Sequence, residues 1–140
     1  MTSPFSYDTL TRDISGQLAV LRGDLPAFMK SFADLSKASL AAGALSEKTK
    51  ELIALALGVA GHCEGCLGFH AKALVRLGAT KAELEEALAV AVYMGGGPSL
   101  MYSAHALARH SRSSRADPRP PGGGGRSDSR AAAHADTATC

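Results

Sequence analysis

Two cysteines and a histidine lie within one short segment near the middle of the chain: Cys63, Cys66 and His70. Positions three and four apart are neighbours on a helix surface, so a helical segment places all three side chains on one stripe. The thiolate is the reactive form of cysteine, and both a helix N-terminus and a nearby imidazole lower the pKa of a thiol. Cysteines spaced Cys-x-x-Cys can also close a disulfide with little movement of the backbone. The segment therefore predicts thiol redox chemistry or metal binding.

A carboxylate precedes this segment in the chain. Glu51 lies twelve residues before Cys63, at the edge of a strongly apolar stretch of the preceding predicted helix. If the two helices pack side by side, its carboxylate can reach His70 and orient the imidazole that handles the proton of a thiol. This arrangement predicts a proton relay from Glu51 through His70 to Cys66. Taken alone, Glu51 is more typical of a solvent-facing carboxylate paired with Lys48.

These residues together resemble a known family. The resemblance lies in Glu51, in the twelve-residue step to Cys63, in the run Cys-x-x-Cys-x-x-x-His that ends at His70, and in the Gly-Gly-Gly-Pro run 95–98 before a predicted helix. Together these features are similar to the carboxymuconolactone decarboxylase family, specifically its alkylhydroperoxidase D-like branch. The similarity spans about residues 20–110. It implies an all-helical bundle, assembled as a homotrimer or homohexamer, with peroxidase or disulfide-reductase activity.

The resemblance also assigns roles. Cys66 matches the cysteine that attacks peroxide, Cys63 its resolving partner in a redox-active disulfide, and His70 and Glu51 the proton relay. The implied reactants are a hydroperoxide and an external dithiol or thiol-protein reductant, with no bound cofactor. One position departs from the pattern, because this chain has Gly65 where the antioxidant members have a second histidine.

Other interpretations of the segment compete with this one. Cys63 and Cys66 can be buried, inert side chains beside a core histidine, because free cysteine is often buried. They can also bind zinc with His70 and a fourth ligand, although structural zinc usually takes two separated ligand pairs. The family includes lyases that decarboxylate a carboxymuconolactone-like lactone without relying on a cysteine pair. A non-catalytic helical oligomer is the remaining alternative, and the sequence offers no positive feature for it.

Three further side chains are candidates for a substrate pocket: Tyr93, Tyr102 and His105. At helical spacing in an apolar context, such residues are more often part of a core or an interface. The glycine run 95–97 lacks the strand-and-helix setting of a phosphate-binding loop and predicts a tight turn between helices.

The elements that must position these residues are helices. The chain has 140 residues, of which 46% are hydrophobic and only 5% aromatic, so the core is built from Ala, Leu and Val, a composition that favours helices. Glycine, proline and N-capping residues divide the chain into about six helices in a single all-α domain. The first two are predicted over 8–21 and 26–42, and the third begins at an N-cap, Ser46, and ends near Ala60. The fourth is predicted over 63–77, with Gly78 as its left-handed cap. The fifth runs from the Thr80–Glu83 capping box to Met94, and the sixth covers 98–110. The third and fifth helices are apolar on nearly every side, so we expect neighbouring subunits to bury part of their surface.

Composition changes near residue 111. Residues 1–110 carry ten basic and ten acidic side chains, and the last thirty carry five Arg against three Asp in a Gly- and Pro-rich context. This predicts a helical domain over 1–111 and a disordered tail over 112–140, in which Cys140 has no assigned role. A neutral folded part argues against nucleic-acid binding. No signal peptide is evident, and the longest apolar run, Leu52–Ala60, is too short to span a bilayer, so we expect a cytoplasmic protein without a membrane partner.

Overall fold

The computed structural model of the protein describes residues 7–116, and these form five helices joined by short turns. The helices are α1 (Tyr7–Asp24), α2 (Pro26–Leu40), α3 (Glu47–Ala60), α4 (Glu64–Arg76) and α5 (Lys81–Ala116). The all-helical class predicted from the sequence is confirmed. No helix within residues 7–116 combines the length and apolar character needed to cross a membrane.

The residues predicted to cap the start of α3 and the end of α4 do so in the structure. Oγ of Ser46 accepts a hydrogen bond from the N–H of Thr49 at 3.1 Å and so caps α3. At the end of α4, Gly78 has a φ of 70°. Its N–H and that of the next residue bond back into the last turn of α4 at 3.1 and 2.9 Å, the pattern of a Schellman motif.

The predicted fifth and sixth helices form one element, α5, with a sharp break inside it. The break is at Gly96, whose φ of 74° and ψ of −160° are not helical. At the preceding Gly95, a Cβ atom would collide with the side chain of Ser99 and lie 3.8 Å from Cα of Ala60. Pro98 falls in the first turn after the break, where its missing N–H costs no helical bond. The structure therefore agrees with the predicted division into a fifth and a sixth helix, which meet directly at the break inside α5 without a loop between them.

α5 also continues to Ala116, past the domain boundary predicted at residue 111. The apolar pattern stops there, but helical hydrogen bonding does not, and Oγ of Ser114 donates to the carbonyl of His110 at 2.9 Å. The helix therefore ends five residues beyond the predicted boundary. The rest of the predicted tail, with Cys140, lies outside the described residues.

The hydrophobic core belongs to α3, α4 and α5. Among the described residues, α1 and α2 add one buried apolar side chain, Met29. α1 is also tied to α5 by an ion pair between Asp8 and Arg109, whose side chain is 3% exposed. The core cluster consists of Leu55, Val59, Leu67, Leu74, Ala79, Leu84, Leu88, Ala91 and Ala106.

α1 approaches α4 through two glycines. A Cβ atom on Gly68 would collide with Thr11, and one on Gly65 would lie 3.0 Å from Cδ1 of Ile14. Larger residues at either position would push the two helices apart. Because Gly65 lies between the two cysteines, α1 covers one side of the segment that the sequence marks as chemically active.

Candidate functional site

The turn between α3 and α4 fixes the backbone of Cys63. The N–H of His62 bonds to the carbonyl of Val59 at 3.1 Å, and the N–H of Cys63 bonds to the carbonyl of Gly58 at 2.9 Å. This is again a Schellman motif, but its left-handed position is held by His62, with a φ of 54°, rather than by glycine. A side chain in that conformation costs roughly 1–2 kcal/mol. The turn therefore holds His62 in a strained conformation directly before the cysteine pair.

Cys63 is in addition the N-cap residue of α4. Its Sγ accepts a hydrogen bond from the N–H of Cys66 at 3.2 Å. The two cysteines form a disulfide, with their Cα atoms 5.3 Å apart, and both side chains are half-buried. When this bond opens, the N–H and the positive end of the helix dipole stabilise negative charge on the sulfur of Cys63.

A buried carboxylate on α3 holds the histidine of α4. Nδ1 of His70 donates a hydrogen bond to Oε2 of Glu51 at 2.7 Å. Glu51 is only 4% exposed, and this bond selects the tautomer in which Nε2 is the basic nitrogen of His70. The alternative pairing with Lys48 is not formed, because Nζ of Lys48 donates to Glu83 at 2.6 Å. His70 follows Cys66 by one helical turn, at the middle of α4, whereas the cysteine pair is at the start of that helix.

A second histidine–carboxylate pair joins α4 to α5. Glu64, between the two cysteines in the sequence, accepts a hydrogen bond at Oε1 from Nδ1 of His105 at 2.7 Å. Its other oxygen, Oε2, is buried without a hydrogen-bond partner. The ring of Tyr102 lies 4.8 Å from that of His62, nearly parallel, and 5.7 Å from that of His105. The sequence pattern indicated Tyr102 and His105 but missed Glu64 and His62, since the partners Glu64 and His105 are 41 positions apart.

Tyr93 lies apart from this group. It is 84% exposed on the part of α5 that precedes the break at Gly96, whereas Tyr102 and His105 follow the break. The three residues named as a pocket therefore do not meet in the subunit. Two of them lie beside the cysteine segment, and the third lies on the surface.

The zinc alternative depended on Cys63, Cys66 and His70 with a fourth ligand. Within residues 7–116, no group of three or more His, Cys, Asp and Glu side chains is arranged to hold a metal ion. Zinc requires deprotonated cysteine sulfurs, and the disulfide engages both of them.

Comparison with known proteins places these residues in a wider context. Residues 26–109 match the model of the carboxymuconolactone decarboxylase family, a range that includes Glu51, the cysteine pair and both histidine–carboxylate pairs. The chain is also similar to the apo crystal structure of a carboxymuconolactone decarboxylase family protein from Legionella pneumophila, at 53% identity and a TM-score of 0.76. That comparison covers 77% of this chain and 96% of the Legionella chain.

Two curated relatives are uncharacterised proteins. One, from Cupriavidus necator, is 41% identical over 100 residues, which cover 71% of this chain and 88% of the relative. The other, from the cox locus of Paracoccus denitrificans, is 40% identical over 78 residues, covering 56% of this chain and 70% of the relative. Neither name states an activity.

Proposed function

The chain belongs to the carboxymuconolactone decarboxylase family, and on that premise we propose that it is a thiol-dependent peroxidase or disulfide oxidoreductase of the alkylhydroperoxidase D-like branch. The observation that carries the proposal is the Cys63–Cys66 disulfide, one turn from a histidine that a buried carboxylate holds. Two cysteines that close a disulfide in place can deliver two electrons to a hydroperoxide.

The first step oxidises Cys66. Nε2 of His70 takes the proton of the Cys66 thiol, directly or through one water, while Glu51 keeps the ring in the required tautomer and stabilises its positive charge. The thiolate attacks one peroxide oxygen and the O–O bond breaks. Cys66 becomes a sulfenic acid, and the departing alkoxide takes the proton and leaves as an alcohol.

The second step closes the disulfide. The sulfur of Cys63 attacks the sulfur of the Cys66 sulfenic acid, the S–S bond forms, the S–O bond breaks, and water is released. An external dithiol or thiol protein then reduces the pair by exchange and is itself oxidised to a disulfide. The N–H of Cys66, which donates to Sγ of Cys63, makes Cys63 the better leaving thiolate in this exchange, so we assign the reductant's attack to Cys66.

The choice of attacking sulfur rests on two competing effects. The helix N-terminus favours a thiolate at Cys63, but such a dipole effect is worth roughly 0.3–1 kcal/mol at an exposed site. A positioned general base contributes about 10²–10⁴-fold in rate, and Cys66 is the cysteine one turn from His70. The larger effect assigns the attack on peroxide to Cys66.

Thiol counting tests the function directly. In a Cys140→Ser background, the reduced protein should lose both remaining thiols after a stoichiometric dose of cumene hydroperoxide. Cys63→Ser should accumulate a sulfenic acid at Cys66 that a dimedone-type probe labels, and Cys66→Ser should show no label at Cys63. The opposite labelling would reverse the two roles, and unchanged thiols in the parent protein would contradict the function.

The relay is tested at its histidine. His70→Gln should slow sulfenic acid formation at Cys66 by about 10²–10⁴-fold. Glu85→Gln is the matched control, because Glu85 is an exposed carboxylate on α5 that pairs only with Lys81 among the contacts of the described residues. A His70→Gln rate equal to that of the control would exclude His70 as the base.

A further inference from the structure

Helix α5 contacts the chain on both sides of Cys63. Before this cysteine, the ring of His62 stacks on that of Tyr102, with the ring centroids 4.8 Å apart and the planes inclined by 21°. After it, Oε1 of Glu64 accepts a hydrogen bond from Nδ1 of His105 at 2.7 Å. Tyr102 and His105 are three positions apart on α5 and lie on one face of it, with ring centroids 5.7 Å apart. α5 therefore holds the residue before and the residue after the same cysteine.

The start of α4 does not by itself account for the placement of Glu64. A carboxylate is favourable in the first turn of a helix even when it faces water. The side chain of Glu64 is instead 25% exposed, and its Oε2 is buried without a hydrogen-bond partner. An unpaired buried acceptor costs free energy. Glu64 is thus held towards His105 on α5, although a carboxylate facing water would avoid that cost.

The turn before Cys63 is under strain that it can release. His62 has a left-handed φ of 54°, which is unfavourable for a residue with a Cβ atom. Cys63 follows it and caps α4, where its Sγ accepts a hydrogen bond from the N–H of Cys66 at 3.2 Å. The disulfide also restrains this turn in the oxidised protein. When the disulfide is reduced, that restraint is lost, and the turn is held by its own backbone hydrogen bonds and by the two contacts with α5.

The position of Cys63 in the reduced protein decides how readily the disulfide forms again. Closure is intramolecular, so its equilibrium depends on the effective concentration of one sulfur at the other, which is highest when both are held in place beforehand. Cys66 lies inside α4 and against α3, where a Cβ atom on Gly58 would be 3.1 Å from its Cβ. Cys63 lies at the helix boundary, so its position depends on the turn and on α5.

We propose that two residues of α5, Tyr102 and His105, are positioning residues for the redox pair. They act through the two neighbours of Cys63 and keep its sulfur close to that of Cys66 after reduction, so that the disulfide is favoured over the dithiol. The inference rests on the proposed function, because it concerns the disulfide that the reaction uses. Loss of either contact lets the turn relax in the dithiol form and makes the disulfide easier to reduce.

A redox titration tests the proposal without any peroxide. In the Cys140→Ser background, the protein is equilibrated with mixtures of reduced and oxidised dithiothreitol, and alkylation followed by mass spectrometry gives the fraction of free thiols. In each mixture the reduced dithiothreitol gives two electrons and two protons to the Cys63–Cys66 disulfide and becomes a cyclic disulfide. His105→Ala removes one contact. Tyr102→Leu removes the other but keeps an apolar side chain against the core.

Both variants should lower the equilibrium constant for disulfide formation. The expected change is about tenfold, the order of what relief of one left-handed residue supplies, and it raises the reduction potential of this two-electron couple by about 30 mV. Tyr102→Phe keeps the ring that stacks on His62 and should keep the parental potential.

Two further variants separate positioning from stability. Leu74→Ala truncates a fully buried core side chain of α4 and should lower the free energy of unfolding but leave the reduction potential unchanged. Glu85→Gln, at an exposed carboxylate of α5, should change neither quantity. A potential shift in Leu74→Ala as large as that in His105→Ala would mean that overall stability sets the potential, and it would overturn the inference.

The outcomes also distinguish this inference from the function on which it rests. A parental potential in His105→Ala, or in folded Tyr102→Leu, overturns the inference and leaves the function standing. A parent protein that loses no thiols to cumene hydroperoxide contradicts the function, whereas the potentials are measured with dithiothreitol alone and do not depend on that result. The side chain of His105 is half exposed, so His105→Ala decides the question even if Tyr102→Leu does not fold.

Discussion

Within the described residues, α3, α4 and α5 supply nearly all of the buried apolar side chains, although α3 and α5 also expose several large ones, whereas α1 and α2 supply only Met29. Leu55, Leu67 and Leu74 are fully buried. On α2, Phe28 and Leu35 are 61% and 62% exposed. The part of the chain that carries the cysteine pair thus has a core of its own, and the first two helices lack one.

The difference shows where the geometry of the site originates. Glu51 is on α3, His70 and Glu64 are on α4, and His105 is on α5, so the three helices that share the core also supply both histidine–carboxylate pairs. α1 reaches the site only from outside, where Ile14 packs beside Gly65. Core packing therefore sets the distances in the site, and α1 and α2 serve as cover and as contact surface.

The strongest test of the comparison is a core truncation. Leu74→Ala removes a fully buried side chain from α4 and should lower the free energy of unfolding by about 2–5 kcal/mol. Leu35→Ala removes the same atoms from the exposed face of α2 and should cost clearly less. Urea unfolding followed by circular dichroism measures both, and an equal loss for the two variants would contradict the division into a core half and an exposed half.

Assembly is the next largest effect. We propose that further copies of the chain cover the apolar side chains exposed on α2, α3 and α5, which makes the protein a homo-oligomer, as the trimers and hexamers implied by the family resemblance suggest. Light scattering should give a multiple of the chain mass for the parent and for Lys30→Gln, a change at an exposed cation of the same helix. Phe28→Asp should shift the mass toward that of the monomer, because an unpaired charge is costly in an interface. A monomeric parent would contradict the proposal.

A smaller effect is expected where α1 meets α4. Gly68→Ala places a methyl group against Thr11 and should cost about 1–3 kcal/mol of stability, as overpacking does. Gly16→Ala, at a position on α1 with nothing within 4 Å, should instead stabilise the protein by roughly 0.4–1 kcal/mol. Thermal unfolding of both variants gives the signs, and a stabilising Gly68→Ala would show that α1 does not pack closely on α4.

Local signals in the sequence predicted much of this structure. The caps at Ser46 and Gly78 and the start of α2 at Pro26 are readable because a helix end is decided by a few neighbouring residues. The break between the fifth and sixth predicted helices was also placed correctly, at Gly96. The close approach of Gly95 to Ala60 was not predictable in the same way, because it is a contact between distant parts of the chain.

The candidate site shows the same limit. The pairing of Glu51 with His70 was anticipated because the family resemblance supplied the spacing, and the structure contains that hydrogen bond. The pairing of Glu64 with His105 was not predicted, because the two residues are 41 positions apart and the resemblance does not include them. The left-handed conformation of His62 before Cys63 was also missed, because that conformation is typical of glycine and the sequence has a histidine at this position.

That histidine provides the fourth test. His62→Ala keeps the strained backbone and loses the ring stacked on Tyr102, whereas His62→Gly loses the ring but relieves the strain. His62→Gly should therefore be more stable than His62→Ala by about 1 kcal/mol, the lower end of the cost of a left-handed residue. Chemical unfolding of the two variants side by side measures the difference, and an alanine variant at least as stable as the glycine variant would show that the turn imposes no strain.

The smallest effect concerns a carboxylate at the start of α5, remote from the cysteines. Hydrogen bonds to Glu83 from Lys48 and from the N–H of Thr80 lower the pKa of Glu83 from its ordinary value of 4.5. Because the folded pKa is below the unfolded one, the stabilisation is complete above about pH 4.5 and is lost as the pH falls through the folded pKa. Glu83→Gln keeps the capping geometry with Thr80 but lacks the charge that attracts Lys48. Its unfolding temperature should lie slightly below that of the parent at neutral pH and converge with it in acid, while Glu85→Gln follows the parent throughout. A difference that persists unchanged into acid would mean that the ionised form of Glu83 is not what holds Lys48, and that α3 and α5 are joined at this end by packing alone.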